Sequence, residues 1–216
     1  MHLLPLIATL AGAATALPNA GLLPRQATSA RTCDSTSSLC FLQLSHASPS
    51  KPLFRVALPD SPSAPPYDTI LEIVSPASLS WTGFAWGGSM VNNPLTIVWL
   101  NGDNVVVSSR WASGRTVPAA YPQATYKTLR SSRNATHWSA EVACTGCSRW
   151  TGKQLTEMQQ FAWASCNRRP GVAQPGNANS GFDYHTDVGY WPVQLSGARN
   201  AAGVFQGYVK AAAGGA

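Results

Sequence analysis

Apolar and polar positions alternate with a period of two along much of this chain, in short runs bounded by turn formers. Thr69–Val74 shows the pattern most cleanly and predicts a half-buried strand. Cys40–Leu44 and Leu53–Leu58 read as strands before it, and Pro59–Pro66, with four prolines, as a loop. Leu79–Trp86 predicts a strand that ends in the turn Gly87-Gly88-Ser89-Met90. Leu95–Leu100 and Asn104–Ser109 flank Asn101-Gly102-Asp103 and predict a hairpin with Asn-Gly at its turn. Thr125–Leu129 and His137–Cys144 read as further strands. Residues 154–166 are mixed, with helix formers over Gln154–Gln160 and an extended look over Phe161–Ser165. Asn167–Ser180 is a Gly/Pro/Asn loop, and Pro192–Ala202 reads as a short helix or turn. About eight short strands separated by turns predict an all-β, immunoglobulin-like antiparallel β-sandwich.

Composition agrees with that class. Only 11% of residues are charged, against 18 glycines and 16 prolines. The net charge of +6 is spread along the chain, in small pairs such as Arg130/Arg133 and Arg168-Arg169. No basic run marks a nucleic-acid site. Residues 1–16 read as a signal peptide, with an apolar Leu3–Ala13 and small residues at Ala14 and Ala16. Residues 17–32 read as a loose lead-in, with a second trim after Arg25 as an option. Residues 33–208 read as the domain and 209–216 as a tail. No later run reaches the ~18 apolar residues of a membrane span. The expectation is a secreted monomer. Asn134-Ala135-Thr136 is a glycosylation sequon at Asn134. Five cysteines remain to pair. Local pairing gives Cys33–Cys40 and Cys144–Cys147 and leaves Cys166, while a bond from Cys166 to Cys33 or Cys40 stays open.

Few residues offer chemistry. Three histidines lie beyond the leader: His46 in a Ser/Pro loop, read as solvent-facing, His137 at a strand start, and His185. His185 sits among Phe182, Asp183, Tyr184 and Asp187, where either carboxylate can orient its ring toward a metal. Met90 is delivered by a glycine-rich turn, and a thioether held on such a turn can ligate a soft metal or haem iron. Gap filling in a β core is the plainer use of Met90. Cys144-Thr-Gly-Cys147 is followed by Ser148, not by the histidine that covalent haem attachment needs. The nine scattered carboxylates form no acid–base pair. There is no Gly-x-Ser-x-Gly elbow and no Gly-x-Gly-x-x-Gly loop. Eight tryptophans leave room for another class, a haem-free β-sandwich that stacks sugars on exposed indoles.

The stretch from Trp81 to Leu95, with Gly87-Gly88-Ser89-Met90 at its centre, resembles the haem-binding turn in the cytochrome domain of fungal cellobiose dehydrogenases, of the DOMON-like extracellular cytochromes. Val107–Gly114, Pro118–Tyr121, Cys144–Trp150, Phe161–Ala164 and the loop around His185 follow in the family's order. The resemblance implies a β-sandwich that binds one haem b non-covalently, with axial ligands at Met90 and His185. It implies single-electron transfer from an extracellular sugar dehydrogenase to an acceptor such as a lytic polysaccharide monooxygenase, a quinone or ferric iron. Ferric reductase activity would be an enzymatic label for the same chemistry. Arg110, Arg115 and Tyr121 are further candidates for haem contacts. Phe84 and Trp86 are candidates for the pocket wall. Arg115 stands where the family often has a tyrosine, and an arginine there can pair with a haem propionate. The family's cytochrome domains are often acidic, whereas this chain is basic, and the family's flavin dehydrogenase domain is absent from the sequence.

Overall fold

The computed structural model describes residues 28–60 and 65–214; the expected signal peptide and the start of the lead-in lie outside them. In chain order the strands begin with β1 Thr28–Cys33, β2 Cys40–Ser45, β3 Leu53–Asp60, β4 Thr69–Pro76 and β5 Trp81–Ala85. Then come β6 Pro94–Asn101, β7 Asn104–Trp111, β8 Ala119–Ala120, β9 Thr125–Arg133 and β10 His137–Thr145. The last are β11 Arg149–Trp150, β12 Lys153–Gln154, β13 Met158–Cys166, β14 Asp187–Gln194 and β15 Arg199–Ala201, before helix α1 at Ala202–Gly214.

Two sheets form the sandwich. The first runs β1-β2-β3-β4-β10-β9, with β15 parallel to the end of β3. The second runs β14-β13-β5-β6-β7-β8. A separate two-stranded ribbon pairs β11 with β12. Between the sheets, Leu42, Phe54, Val56 and Leu71 meet Phe84, Trp86, Phe161, Trp163 and Trp191. Phe54 touches Phe84 and Trp191, each at 5.4 Å between ring centroids. Each such side chain taken from water stabilises by about 1.5–3 kcal/mol. Phe84 and Trp86 therefore belong to the inter-sheet core, and Phe84 also borders the cavity on the outer face of its sheet.

The outer faces are covered differently. On the first sheet, α1 lays Phe205 and Tyr208 over Leu39, Phe41, Ala57 and Ile70. The Tyr208 hydroxyl donates to Glu141 Oε1 at 2.7 Å. Burial pushes the Glu141 carboxyl above the usual range. On the second sheet, Phe84, Phe161 and Trp163 point inward while Gly83, Ala85, Ala162 and Ala164 between them point outward. A strand polar on neither face is covered on both.

Several local expectations shift. Residues 28–32, read as loose, belong to β1, whose six residues pair in register with β2. Residues 209–214, read as tail, continue α1. The helix formers at Met158–Gln160 open β13 instead, held by β14. The β6–β7 hairpin closes at Asn101–Asn104, so Gly102-Asp103 makes the turn, with Gly102 at φ 62°. A 3-10 turn occupies Leu195–Ala198. The Cys33–Cys40 and Cys144–Cys147 bonds are present, and Cys166 is free and buried.

His46 is not solvent-facing. Its ring lies 4.6 Å from that of Trp163 and 4.8 Å from that of Trp191. Its buried Nε2 has no hydrogen-bond partner. Desolvation, and secondarily nearby Lys51, hold its pKa below the ordinary value, while Asp187 opposes them.

Candidate functional site

The outer face of the second sheet opens into a cavity of about 690 Å³, inside the usual range for small-molecule sites, roughly 300–1,000 Å³. Its floor follows from strand register. Ala162 pairs with Ala85 and Ala164 with Gly83, so four adjacent positions carry nothing larger than a methyl. Trp81, Leu95 and Ile97 extend this floor. The result is a shallow apolar slot beside the backbone, suited to a flat ligand. A Cβ on Gly83 would come within 2.7 Å of Ile97 Cδ1, so the position is tight as well as flat.

Two connections wall the slot, from the two ends of β5. The turn after Ala85 supplies Ser89, Met90 and Val91. Its shape has local causes. Gly88 adopts φ 77°, and its amide donates to Ala85 O. Buried Asn93 donates through Nδ2 to Ser89 O at 3.1 Å and Val91 O at 2.9 Å. Asn92 donates its amide to Ala112 O, stapling the turn to the residue that follows β7. Met90 thus sits half-buried on a braced turn.

The connection from β13 to β14 supplies Phe182, Asp183, Tyr184 and His185. Val172 bridges Phe182, and the Asp183 amide donates to Gly171 O. Trp81 Nε1 donates to Asp183 O at 3.1 Å, and the Thr186 amide to Ser165 O at 2.7 Å. His185 is held between these last two anchors, on the rim and exposed. Met90 and His185, far apart in the chain, line one cavity. Among the described residues, four of the five exposed large apolar side chains also line it: Val117, Tyr184, Val188 and Tyr190.

The other candidates divide. Arg115 lines the cavity and is exposed. Arg110 does not line it. Its guanidinium is buried and donates to Pro118 O at 3.0 Å, Ala178 O at 2.9 Å and Ser180 O. It therefore clamps both loops behind the cavity, and burial holds its pKa below the usual arginine value. Tyr121 also lies away from the cavity. Its ring stacks on Trp111 at 4.8 Å and 22°. Burial pushes its phenol pKa up. Asn134 sits exposed in the β9–β10 turn, where its Oδ1 accepts from the amides of Thr136 and His137. None of the eight tryptophans is exposed, so an indole platform for sugars is missing from the surface.

The residues present fit a haem. The slot is apolar, flat-floored and flanked by one thioether and one imidazole. No group of three His, Cys, Asp or Glu among the described residues could hold a bare metal ion. A donor pair of this kind suits an iron whose other ligands come from a macrocycle. The small-residue floor escaped sequence reasoning. Its signal was the alternation of large and small apolar residues in Gly83–Ala85 and Phe161–Ala164, where an exposed face would be polar.

Known proteins share the sequence pattern and the fold. A pyrroloquinoline quinone-dependent pyranose dehydrogenase of Coprinopsis cinerea is 32% identical over 129 residues, 57% of this chain. Those residues make up 18% of the dehydrogenase's own length. The cytochrome b domain of pyranose dehydrogenase from Coprinopsis cinerea superposes with a TM-score of 0.74 at 25% identity, covering 85% of this chain and 95% of that one. The cytochrome domain of Myriococcum thermophilum cellobiose dehydrogenase gives 0.74 at 24% identity, covering 87% and 97%, a likeness of fold. Residues 32–202 match the family model of the cytochrome domain of cellobiose dehydrogenase, and the chain belongs to that family of haem-binding domains.

Proposed function

We propose that the cavity holds haem b non-covalently, with Met90 and His185 as its two axial ligands, and that the protein is a secreted carrier of single electrons. The observation that carries this reading is the meeting of those two side chains in one apolar, flat-floored cavity. Haem supplies a one-electron ferric–ferrous couple. The chain's own residues decide how that couple is used. Met90 Sδ and a ring nitrogen of His185 would hold the iron, and two such protein ligands suit electron transfer over oxygen activation. A thioether opposite an imidazole raises the potential relative to two imidazoles. Gly83, Ala85, Ala162 and Ala164 exclude water from one face of the slot. Arg115, which lines the cavity and is exposed, would pair with the cofactor's carboxylates.

Non-covalent binding is supported by Cys144 and Cys147, which are bonded to each other and have no free thiol. Secretion is supported by the leader-like residues 1–16, two disulfides and the exposed sequon at Asn134. No helix among the described residues is long and apolar enough to cross a membrane. A sugar dehydrogenase is the donor class, and a lytic polysaccharide monooxygenase, a quinone or ferric iron the acceptor class. The test is a pyridine haemochrome assay on protein purified from culture medium. It should report stoichiometric haem b; a colourless protein that takes up no added haem would refute the reading.

A further inference from the structure

We infer that Asn93 is a positioning residue that raises the potential of the site by holding the Met90 thioether in place. The inference rests on the haem reading, which makes Met90 an iron ligand. Asn93 is buried just before β6. Its Nδ2 donates to Ser89 O at 3.1 Å, Ser89 Oγ at 2.8 Å and Val91 O at 2.9 Å. One amide thus grips the residues on either side of Met90. Its orientation is set by chemistry: turned over, the amide would point Oδ1 at two carbonyl oxygens. Oδ1 itself is buried without a hydrogen-bond partner. It lies where a Cβ on residue 87 would stand, so glycine at 87 leaves it the room. An apolar side chain of the same shape would avoid that unpaired oxygen. What the amide adds is the three contacts of Nδ2.

The anchor behind this grip is rigid. Pro94 opens β6 and pairs with Trp111, and Pro94 O accepts from the Trp86 amide at 3.1 Å. Other hydrogen bonds reach the turn at its edges, from Gln160 Nε2 to Gly88 O at 3.2 Å and from the Asn92 amide to Ala112 O. Among the described side chains, only that of Asn93 bonds both neighbours of Met90. A tethered ligand has an effective concentration at its partner, and loosening the tether lowers it. The thioether is a soft donor and bonds the ferrous state more strongly than the ferric one. Loosening the turn therefore costs the ferric bond first. Once that bond is no longer saturated, each tenfold fall in effective concentration lowers the potential by about 59 mV.

Spectroelectrochemical titration of the haem-loaded protein tests this. Asn93→Leu keeps the volume and removes the donors. Its potential should fall by about 59 mV, one tenfold step, with a high-spin fraction in the oxidised spectrum and a low-spin reduced spectrum. Exchange of the Asn92 amide with deuterium should quicken about tenfold in the same variant. Phe205→Ala, a truncation under α1 on the first sheet, controls for lost stability and should leave the potential unchanged. A parent-like potential in Asn93→Leu, or an equal fall in Phe205→Ala, overturns the inference. Should Asn93→Leu not fold, Ser89→Ala at an exposed position decides. It removes the Oγ acceptor of Nδ2 and should lower the potential in the same direction; an unchanged potential there overturns the inference. Met90→Ala separates the two readings. A fall in Met90→Ala without one in Asn93→Leu strikes the positioning role alone, and no change in Met90→Ala defeats the ligand reading and this inference with it.

Discussion

The guanidinium carbon of Arg110 lies 5.3 Å from the centroid of the Phe182 ring, and its nitrogens reach carbonyls at Pro118 and Ala178. One buried cation therefore ties together the segment that carries Arg115 and the loop that carries His185. Hydrogen bonds to a charged group contribute about 1.5–3 kcal/mol each, and truncation leaves the carbonyls unpaired. Arg110→Met should lower stability by about 2–4 kcal/mol in urea unfolding and weaken haem retention together with it. Arg110→Lys should not rescue, since an ammonium cannot span the same carbonyls. A loss under about 0.5 kcal/mol, the ordinary range for surface substitutions, would mean that the clamp is not needed.

The floor gives a prediction that separates binding from folding. Ala164 pairs with Gly83 across β13 and β5 and faces the slot. Ala164→Leu places an isobutyl group where a flat ligand would lie, without touching the inter-sheet core. The variant should unfold cooperatively with a far-ultraviolet spectrum like the parent's, yet carry little or no haem. Full haem content in that variant would move the binding slot elsewhere.

His46 gives a pH dependence. Its folded-state pKa lies below the ordinary 6.5, chiefly through desolvation beside Trp163 and Trp191. Below pH 6.5 the unfolded chain takes up a proton that the folded chain resists. The unfolded state then binds more protons, so stability falls as pH drops through this window and is fully present above it. His46→Phe keeps a ring in place and removes the titration. Urea unfolding as a function of pH should show a shallower fall below pH 6.5 in the variant. Identical slopes in the two proteins would exclude His46 as the source.

The sandwich was legible because most of its strands bury one face, and period two is what a half-buried strand writes into a sequence. β1 was not, because its side chains are almost all exposed and its pairing with β2, fastened by the Cys33–Cys40 bond, leaves no period-two signal. The helix was missed because Gly203 and Gly207 are poor helix formers. Packing of Phe205 and Tyr208 on the first sheet holds it instead. At the site, Met90 and His185 stood out through resemblance, since spacing cannot say that two distant connections wall one cavity. Arg110 was read as a cofactor contact because it lies in Val107–Gly114, a stretch that follows the family's order. Its work is set by carbonyls some seventy residues on, which no local pattern records.

The turn at Met90 and the loop at His185 belong to one site only if both side chains reach one iron. The most direct test is the absorption spectrum of the reduced protein beside those of Met90→Ala and His185→Ala. The account predicts a low-spin b-type spectrum for the parent, and in each variant either a shift to high spin or loss of the haem. A low-spin spectrum unchanged in both variants would contradict it.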